Sequence, residues 1–171
     1  MELNKKVVRK ERILHMVELF NRLQPDDHLN RAILLATLVH AEDKDKADQP
    51  YIEHILRVIT GCKTYEGKVV AALHDVCEDH PEFTLIDLIE MGFTEYQVQG
   101  VDNITKRKGE PKEHYYERVM SQENSVDAKL SDLKDNSRLE RLKVITEKDR
   151  ERTDGYLAAI KLISSRFPLY A

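Results

Sequence analysis

Six consecutive residues, His74-Asp75-Val76-Cys77-Glu78-Asp79, carry the densest chemistry in the chain. A histidine beside an aspartate offers an imidazole nitrogen and a carboxylate oxygen, two metal ligands in one step of the chain. Glu78 and Asp79 follow one helical turn later with two further oxygen groups. On a helix of about 3.6 residues per turn, His74 and Glu78 lie about 40° apart, and Asp75 and Asp79 lie about 40° apart on the adjoining strip. All four then face one cleft, which predicts a metal site built for hydrolysis. The plainer alternative is a solvated helix end before Pro81. Four polar groups beside the apolar Val69-Ala72-Leu73 stripe are costly, however, unless something partners them.

A mononuclear transition-metal site takes about three or four ligands from His and Asp, leaving positions for water and substrate. His74 and Asp75 give two, and the rest must come from other helices. His54 sits in Pro50-Tyr51-Ile52-Glu53-His54, at the start of a helix after a proline. Asp132 sits in Lys129-Leu130-Ser131-Asp132, inside an amphipathic stretch. Asp132 and Asn136 are spaced i, i+4 and share a face, so Asn136 is placed to touch whatever Asp132 holds. Asp135 is the alternative ligand in this stretch, although it points about 60° away from Asp132. Each of these residues taken alone reads equally well as an ordinary helix-end or solvated side chain.

The elements that must position them are helical. Apolar residues recur at helical spacing in five stripes: Ile13, Met16, Val17, Phe20 and Leu23; Ile52, Ile55, Leu56 and Ile59; Val69, Ala72, Leu73 and Val76; Val126, Leu130 and Leu133; and Leu157, Ile160 and Ile163. Sustained strand-type alternation is absent. Turn residues punctuate the stripes at Pro25, Pro50, Gly61, Gly67, Pro81, Gly92, Gly109 and Pro111. Thr94 and Gln97 read as a capping box, and the segment from Lys106 to Lys112 reads as an exposed basic loop. The pattern predicts a compact all-α bundle of roughly seven to nine helices, forming a single domain over residues 1–171.

Composition narrows the function classes. The chain has 171 residues, 41% hydrophobic and 34% charged, with a formal net charge of −4, which suits a globular fold rather than disorder. No basic excess marks a nucleic-acid groove, while a local basic patch still serves a small anionic substrate. Cys62 and Cys77 form no CxxC and read as reduced thiols. The apolar run from Ala32 to Val39 is too short to span a bilayer, and residues Met1 to Phe20 lack a signal-peptide apolar block. The expected location is the cytoplasm, with no membrane or nucleic-acid partner.

In order and spacing, these residues resemble the HD superfamily of metal-dependent phosphohydrolases. The resemblance is closest to hydrolase domains of the RelA/SpoT type and to small alarmone hydrolases. A Pro-Tyr-x-x-His segment is matched by Pro50 to His54, and His-Asp-x-x-Glu-Asp by residues 74 to 79. Val-x-x-x-Thr-Lys is matched by Val101 to Lys106, and Lys-Leu-Ala-Asp-x-x-x-Asn by Lys129 to Asn136, with Ser131 in place of the alanine. The resemblance implies that His54, His74, Asp75 and Asp132 hold one divalent metal, usually manganese, with iron or zinc as alternatives. It implies that Glu78 and Asp79 position or deprotonate the attacking water and that Asn136 contacts the nucleotide. The implied reaction removes the 3′-pyrophosphate of a (p)ppGpp- or (p)ppApp-like nucleotide. Alternatives are another HD-type nucleotide phosphohydrolase and a regulatory module that binds a nucleotide without turnover.

The chain departs from the family pattern in the half that reads the base. The family's His-x-Gly-Gln segment and following arginine become His40-Ala41-Glu42-Asp43-Lys44-Asp45-Lys46, with Asp45 in the arginine's place. A threonine three residues after the asparagine is Leu139, and the proline after the first histidine is Ile55. An aspartate cannot stack on a purine as an arginine does, so guanine specificity does not carry over. Lys44, Lys46, Lys106, Arg107 and Lys108 are the candidates for holding substrate phosphates, each with a solvated loop as its plainer reading.

Overall fold

A computed structural model describes residues 2–171, with side chains described from Lys6 onward apart from Leu23. The described residues form ten α-helices: α1 (Glu2–Leu23), α2 (His28–Val39), α3 (Tyr51–Gly61), α4 (Tyr65–Leu73), α5 (Val76–Asp79), α6 (Leu85–Glu90), α7 (Glu95–Ile104), α8 (Lys112–Val119), α9 (Glu123–Asn136) and α10 (Glu147–Arg166). Short 3-10 turns follow at Leu139–Arg141 and Pro168–Tyr170. No strand occurs among the described residues, and one isolated bridge joins Lys44 to Pro50. The all-α bundle expected from the periodicity is the observed fold. No described helix is long and apolar enough to cross a membrane.

Local sequence explains most of the helix starts. Thr64 accepts a hydrogen bond from the Gly67 amide at the head of α4. Reciprocal capping boxes open α6 (Thr84 with Asp87), α7 (Thr94 with Gln97) and α10 (Thr146 with Asp149). The expected cap at Thr94 is therefore present. One apolar cluster runs from Ile13 and Val17 on α1 to Ala159 and Ile163 on α10. Three of the expected stripes carry an exposed member: Met16 on α1, Leu56 on α3 and Leu157 on α10. The inward face of α10 instead carries Thr153, Ala159 and Ile163, so Leu157 lies to one side of the buried strip.

Two glycines set how α9 seats against α3 and α4. Gly61 ends α3 against Ser131, and a Cβ there would collide with the Ser131 hydroxyl. That hydroxyl donates to the Val58 carbonyl oxygen at 2.6 Å. Gly67 in α4 meets Asp127, where a Cβ would overlap the carboxylate. Asp127 accepts from the Lys63 amide at 3.0 Å, the Thr64 amide at 2.8 Å and the Thr64 hydroxyl at 2.8 Å. A carboxylate from α9 thus takes the amides of the two residues that lead into α4. Pairing Gly67 with Asp127 and His74 with Asp132 makes α4 and α9 run in the same sense, while α3 runs against them. Because three donors hold the Asp127 carboxylate in place, Gly67→Ala is expected to destabilise the fold by about 1–3 kcal/mol. A thermal melt of the variant checks this, and an unchanged midpoint would contradict the close approach.

Candidate metal centre

His54 stands on the first turn of α3, behind Pro50. His74 and Asp75 occupy the turn between α4 and α5, and Asp132 lies on α9. The six-residue run is therefore not one helix, since α4 stops at Leu73 and a new four-residue turn begins at Val76. Both residues of the break keep right-handed helical backbone angles. The polar pair still projects inward from the end of an otherwise buried helix.

The structure brings His54, His74, Asp75 and Asp132 together. His54 Nε2 lies 3.5 Å from Asp132 Oδ1 and 3.8 Å from Asp75 Oδ2. His74 Nε2 lies 2.8 Å from Asp75 Oδ2 and 3.6 Å from Asp132 Oδ1. The far nitrogens are already committed. His74 Nδ1 faces the Ala71 carbonyl oxygen at 2.7 Å, which can only accept, so Nδ1 carries a proton. His54 Nδ1 meets Asp135 Oδ2 at 2.7 Å in the same way. Both imidazoles then turn Nε2 toward the two carboxylates, the nitrogen that binds an ion once its proton is displaced, as in metal-binding histidines. His74 Nε2 is buried and makes no hydrogen bond. That orphaned atom, with the donor set around it, fits a metal ion. His54, His74 and Asp75 are grouped closely enough to hold one, and Asp132 adds a further oxygen.

Electrostatics agree with the geometry. Burial disfavours charge on His74, yet Asp75 and Asp132 outweigh it and lift the imidazole pKa well above its usual value. His54 is raised against burial by Asp132 and Asp135. Despite their own burial, Asp75 is held low chiefly by His74 and Asp132 chiefly by Lys129. Two carboxylates aimed at two imidazoles call for positive charge at their centre. Protons supply it in the ion-free chain, and a divalent cation would displace them.

A ring of supporting groups surrounds the four. The Tyr51 hydroxyl donates to Asp75 Oδ2 at 2.6 Å. Lys129 Nζ donates to Asp132 Oδ2 at 2.7 Å, and the Asn136 amide donates to Asp132 Oδ1 at 2.5 Å. Asn136 thus touches Asp132 itself. Asp135 does not point at the centre; it binds the back of His54 and Arg57 Nε at 2.7 Å. Its angular offset from Asp132 on α9 explains the division between a centre-facing carboxylate and one that orients an imidazole. Asp135→Asn is expected to weaken metal binding about 10- to 100-fold while leaving the ligand set intact. Titration calorimetry with Mn2+ measures this, and an unchanged affinity would remove Asp135 from the supporting ring.

Glu78 and Asp79 part company. Glu78 accepts from the Lys106 amide at 3.0 Å and from Lys106 Nζ at 2.8 Å, tying α5 to the loop after α7. Asp79 reaches solvent on one side. The protein around its other side, with the negative charges of Asp75 and Glu78, raises its pKa to about 6.

The candidate phosphate-holding residues fall into different settings. Lys44 pairs with Asp48 at 2.8 Å on an exposed turn, and Lys108 is exposed in the loop after α7. Arg107 pairs with Asp102 at 2.7 Å. Lys106 and Arg107 also line a cleft of about 720 Å3 together with Tyr116, Lys148 and Arg152. Lys46 lines a hollow with Asn136, Arg141 and Arg152, and burial followed by the charge of Arg152 lowers its pKa. Asp45 is turned inward, accepting from Arg141 Nη1 at 3.0 Å and from the amides of Ala47 and Gln49 at 2.8 and 3.1 Å. Arg141 also reaches Asn136, its Nη2 donating to the amide oxygen at 3.3 Å.

Sequence reasoning missed Lys129, Tyr51 and Arg141 as parts of this site. Lys129 was legible in principle, because it stands three residues before Asp132 on one helix face. No protein-family model matches the chain, and no curated protein matches it.

Proposed function

We propose that this protein is a metal-dependent phosphohydrolase of the HD type, similar to RelA/SpoT hydrolase domains. Its proposed substrate is a (p)ppGpp- or (p)ppApp-like nucleotide, from which it removes the 3′-pyrophosphate, with Mn2+ as the favoured ion. The observation that carries this reading is the convergence of His54, His74, Asp75 and Asp132 with both imidazoles pre-set to present Nε2. An ion held by these residues would acidify a water and neutralise charge on the attacked phosphate. Asp79 is the chain's proton acceptor: it reaches solvent and has a pKa of about 6, low enough to be ionised at neutral pH and high enough to take a proton. The water oxygen bonds to the phosphorus next to the ribose, the 3′ oxygen leaves and is protonated, and pyrophosphate departs. Glu78 holds the Lys106 loop beside the site. Asp45 is consumed by Arg141 and by its own turn and offers no contact to the base.

A hydrolysis panel in Mn2+, with guanosine and adenosine 3′-pyrophosphates, deoxynucleotides and a generic phosphodiester, tests the reading. Release of pyrophosphate from a 3′-pyrophosphate supports it. Inorganic phosphate from other nucleotides would favour a different HD reaction, and binding without turnover would favour a regulatory module. Asp79→Asn is expected to lower turnover about 10²- to 10⁴-fold. In the wild type, kcat/KM is expected to rise with pH as Asp79 loses its proton. The limb falls at or below about pH 6, because a cation at the neighbouring centre favours the ionised carboxylate. Wild-type activity that does not fall below that pH would remove Asp79 from the role.

A further inference from the structure

A second cluster of ligand-type side chains lies on the far side of Tyr51. His40 caps the end of α2, Asp43 lies in the turn after it, and His80 caps the end of α5. His40 Nδ1 lies 2.8 Å and His80 Nε2 2.7 Å from the same oxygen, Asp43 Oδ2. The three atoms all lie within 4.8 Å of one another. Bonds of about 2.1 Å around a tetrahedral ion place neighbouring ligands about 3.4 Å apart, so the three atoms, drawn here to hydrogen-bond distance, need to part by only about 0.6 Å to admit one.

We propose that His40 Nδ1, Asp43 Oδ2 and His80 Nε2 form a second divalent-metal site, taking a zinc-class ion whose remaining position is filled by water. The donor set favours that class: two imidazole nitrogens and one carboxylate oxygen suit zinc better than calcium or magnesium. The contacts converge on one oxygen of Asp43, while Oδ1 accepts no hydrogen bond among the described residues. A carboxylate serving only two N–H donors has a second oxygen to share them with. Asp43 and His80 have the surroundings of a three-ligand open site, while His40 Nε2 is buried without a hydrogen-bond partner. The His40 side chain is fully buried and its ring stacks on Tyr51 at 4.8 Å, which fixes its direction. Glu82 lies 3.7 Å from His80 Nδ1, the side on which metal-bound imidazoles commonly meet a carboxylate. The Asp43 side chain is 36% exposed, so water reaches the ion from that side.

The site is independent of the proposed phosphohydrolase activity. Tyr51 stands between the two clusters, stacking on His40 and donating to Asp75. An ion at His40 would brace the ring against which Tyr51 holds Asp75.

Counting bound Zn2+ in the full chain tests the proposal. Protein stripped with chelator is reloaded with excess Zn2+, desalted and analysed by mass spectrometry of the metal, with circular dichroism to confirm folding. Two ions per wild-type chain are expected, falling to one in Asp43→Asn and in His80→Ala. In a His74→Ala background one ion is expected to remain, and to be lost when Asp43→Asn is added. If His80→Ala does not fold, the near-isosteric Asp43→Asn decides alone. A wild-type count that Asp43→Asn and His80→Ala leave unchanged, or a His74→Ala chain that holds no ion, overturns the second site. Because the readout is metal content, an inactive protein that still binds two ions would sink the proposed reaction and leave this inference standing.

Discussion

His74→Ala is expected to abolish tight Mn2+ binding at the His54/His74/Asp75/Asp132 centre and to lower any hydrolytic rate by at least about 10³-fold. The substitution removes the one buried nitrogen that has no hydrogen-bond partner at the centre, 2.8 Å from Asp75 and 3.6 Å from Asp132. It also leaves two carboxylates facing one imidazole instead of two. Asp132→Asn should give the same loss with almost no change in volume, which separates loss of the ligand from a packing defect. Metal affinity by calorimetry and turnover on the same preparations supply the check. Full activity in either variant would mean that these four residues do not hold the working ion.

Lys129→Met is expected to destabilise the ion-free protein by about 3–5 kcal/mol. Lys129 is buried, with its ammonium 2.7 Å from Asp132 Oδ2 and 5.7 Å from the centre of the Tyr115 ring. Burial opposes its charge, but Asp132 and Tyr115 hold its pKa well above the usual value. Methionine fills similar space and leaves the Asp132 carboxylate without its cation. For a chain of this size the loss corresponds to a fall in melting temperature of roughly 6–20 °C. Added Mn2+ should recover part of it, since an ion bound to Asp132 replaces the missing charge. Melting curves with and without Mn2+ decide the point. Equal melting temperatures for wild type and variant, both ion-free, would show that the pair carries no stability.

The helical architecture was legible because periodicity and capping report local chemistry. The stripe Val69, Ala72, Leu73 and Val76 is buried throughout, and the Thr94–Gln97 box forms. Periodicity failed at Leu157, where the packing of α10 on α9, a tertiary fact, selects the strip through Thr153, Ala159 and Ile163. The meeting of His54 with Asp132 was legible only as two candidates on separate helices. What joins them is the glycine-mediated seating of α9, which no spacing rule contains. Asp135 looked like a possible ligand because its residue type fits; its 2.7 Å contact with the back of His54 depends on how α3 crosses α9. His40, Asp43 and His80 were invisible as a group, since Asp43 and His80 stand 37 residues apart and meet only after α2 and α5 end side by side.

Helix α9 carries Asp127 and Ser131, which lock it to α4 and α3, on the same rod as Lys129, Asp132, Asp135 and Asn136. Exchange of its amide hydrogens with solvent should therefore be slow and should report global opening rather than local fraying. Departure of an ion by displacement of Asp132 would require breaking the same interhelical locks that hold the bundle together. Glu78 on α5 is held more lightly, through the amide and the ammonium of the exposed Lys106. The side chains that fix Asp132 at the centre are thus carried on an element that moves only when the bundle itself opens.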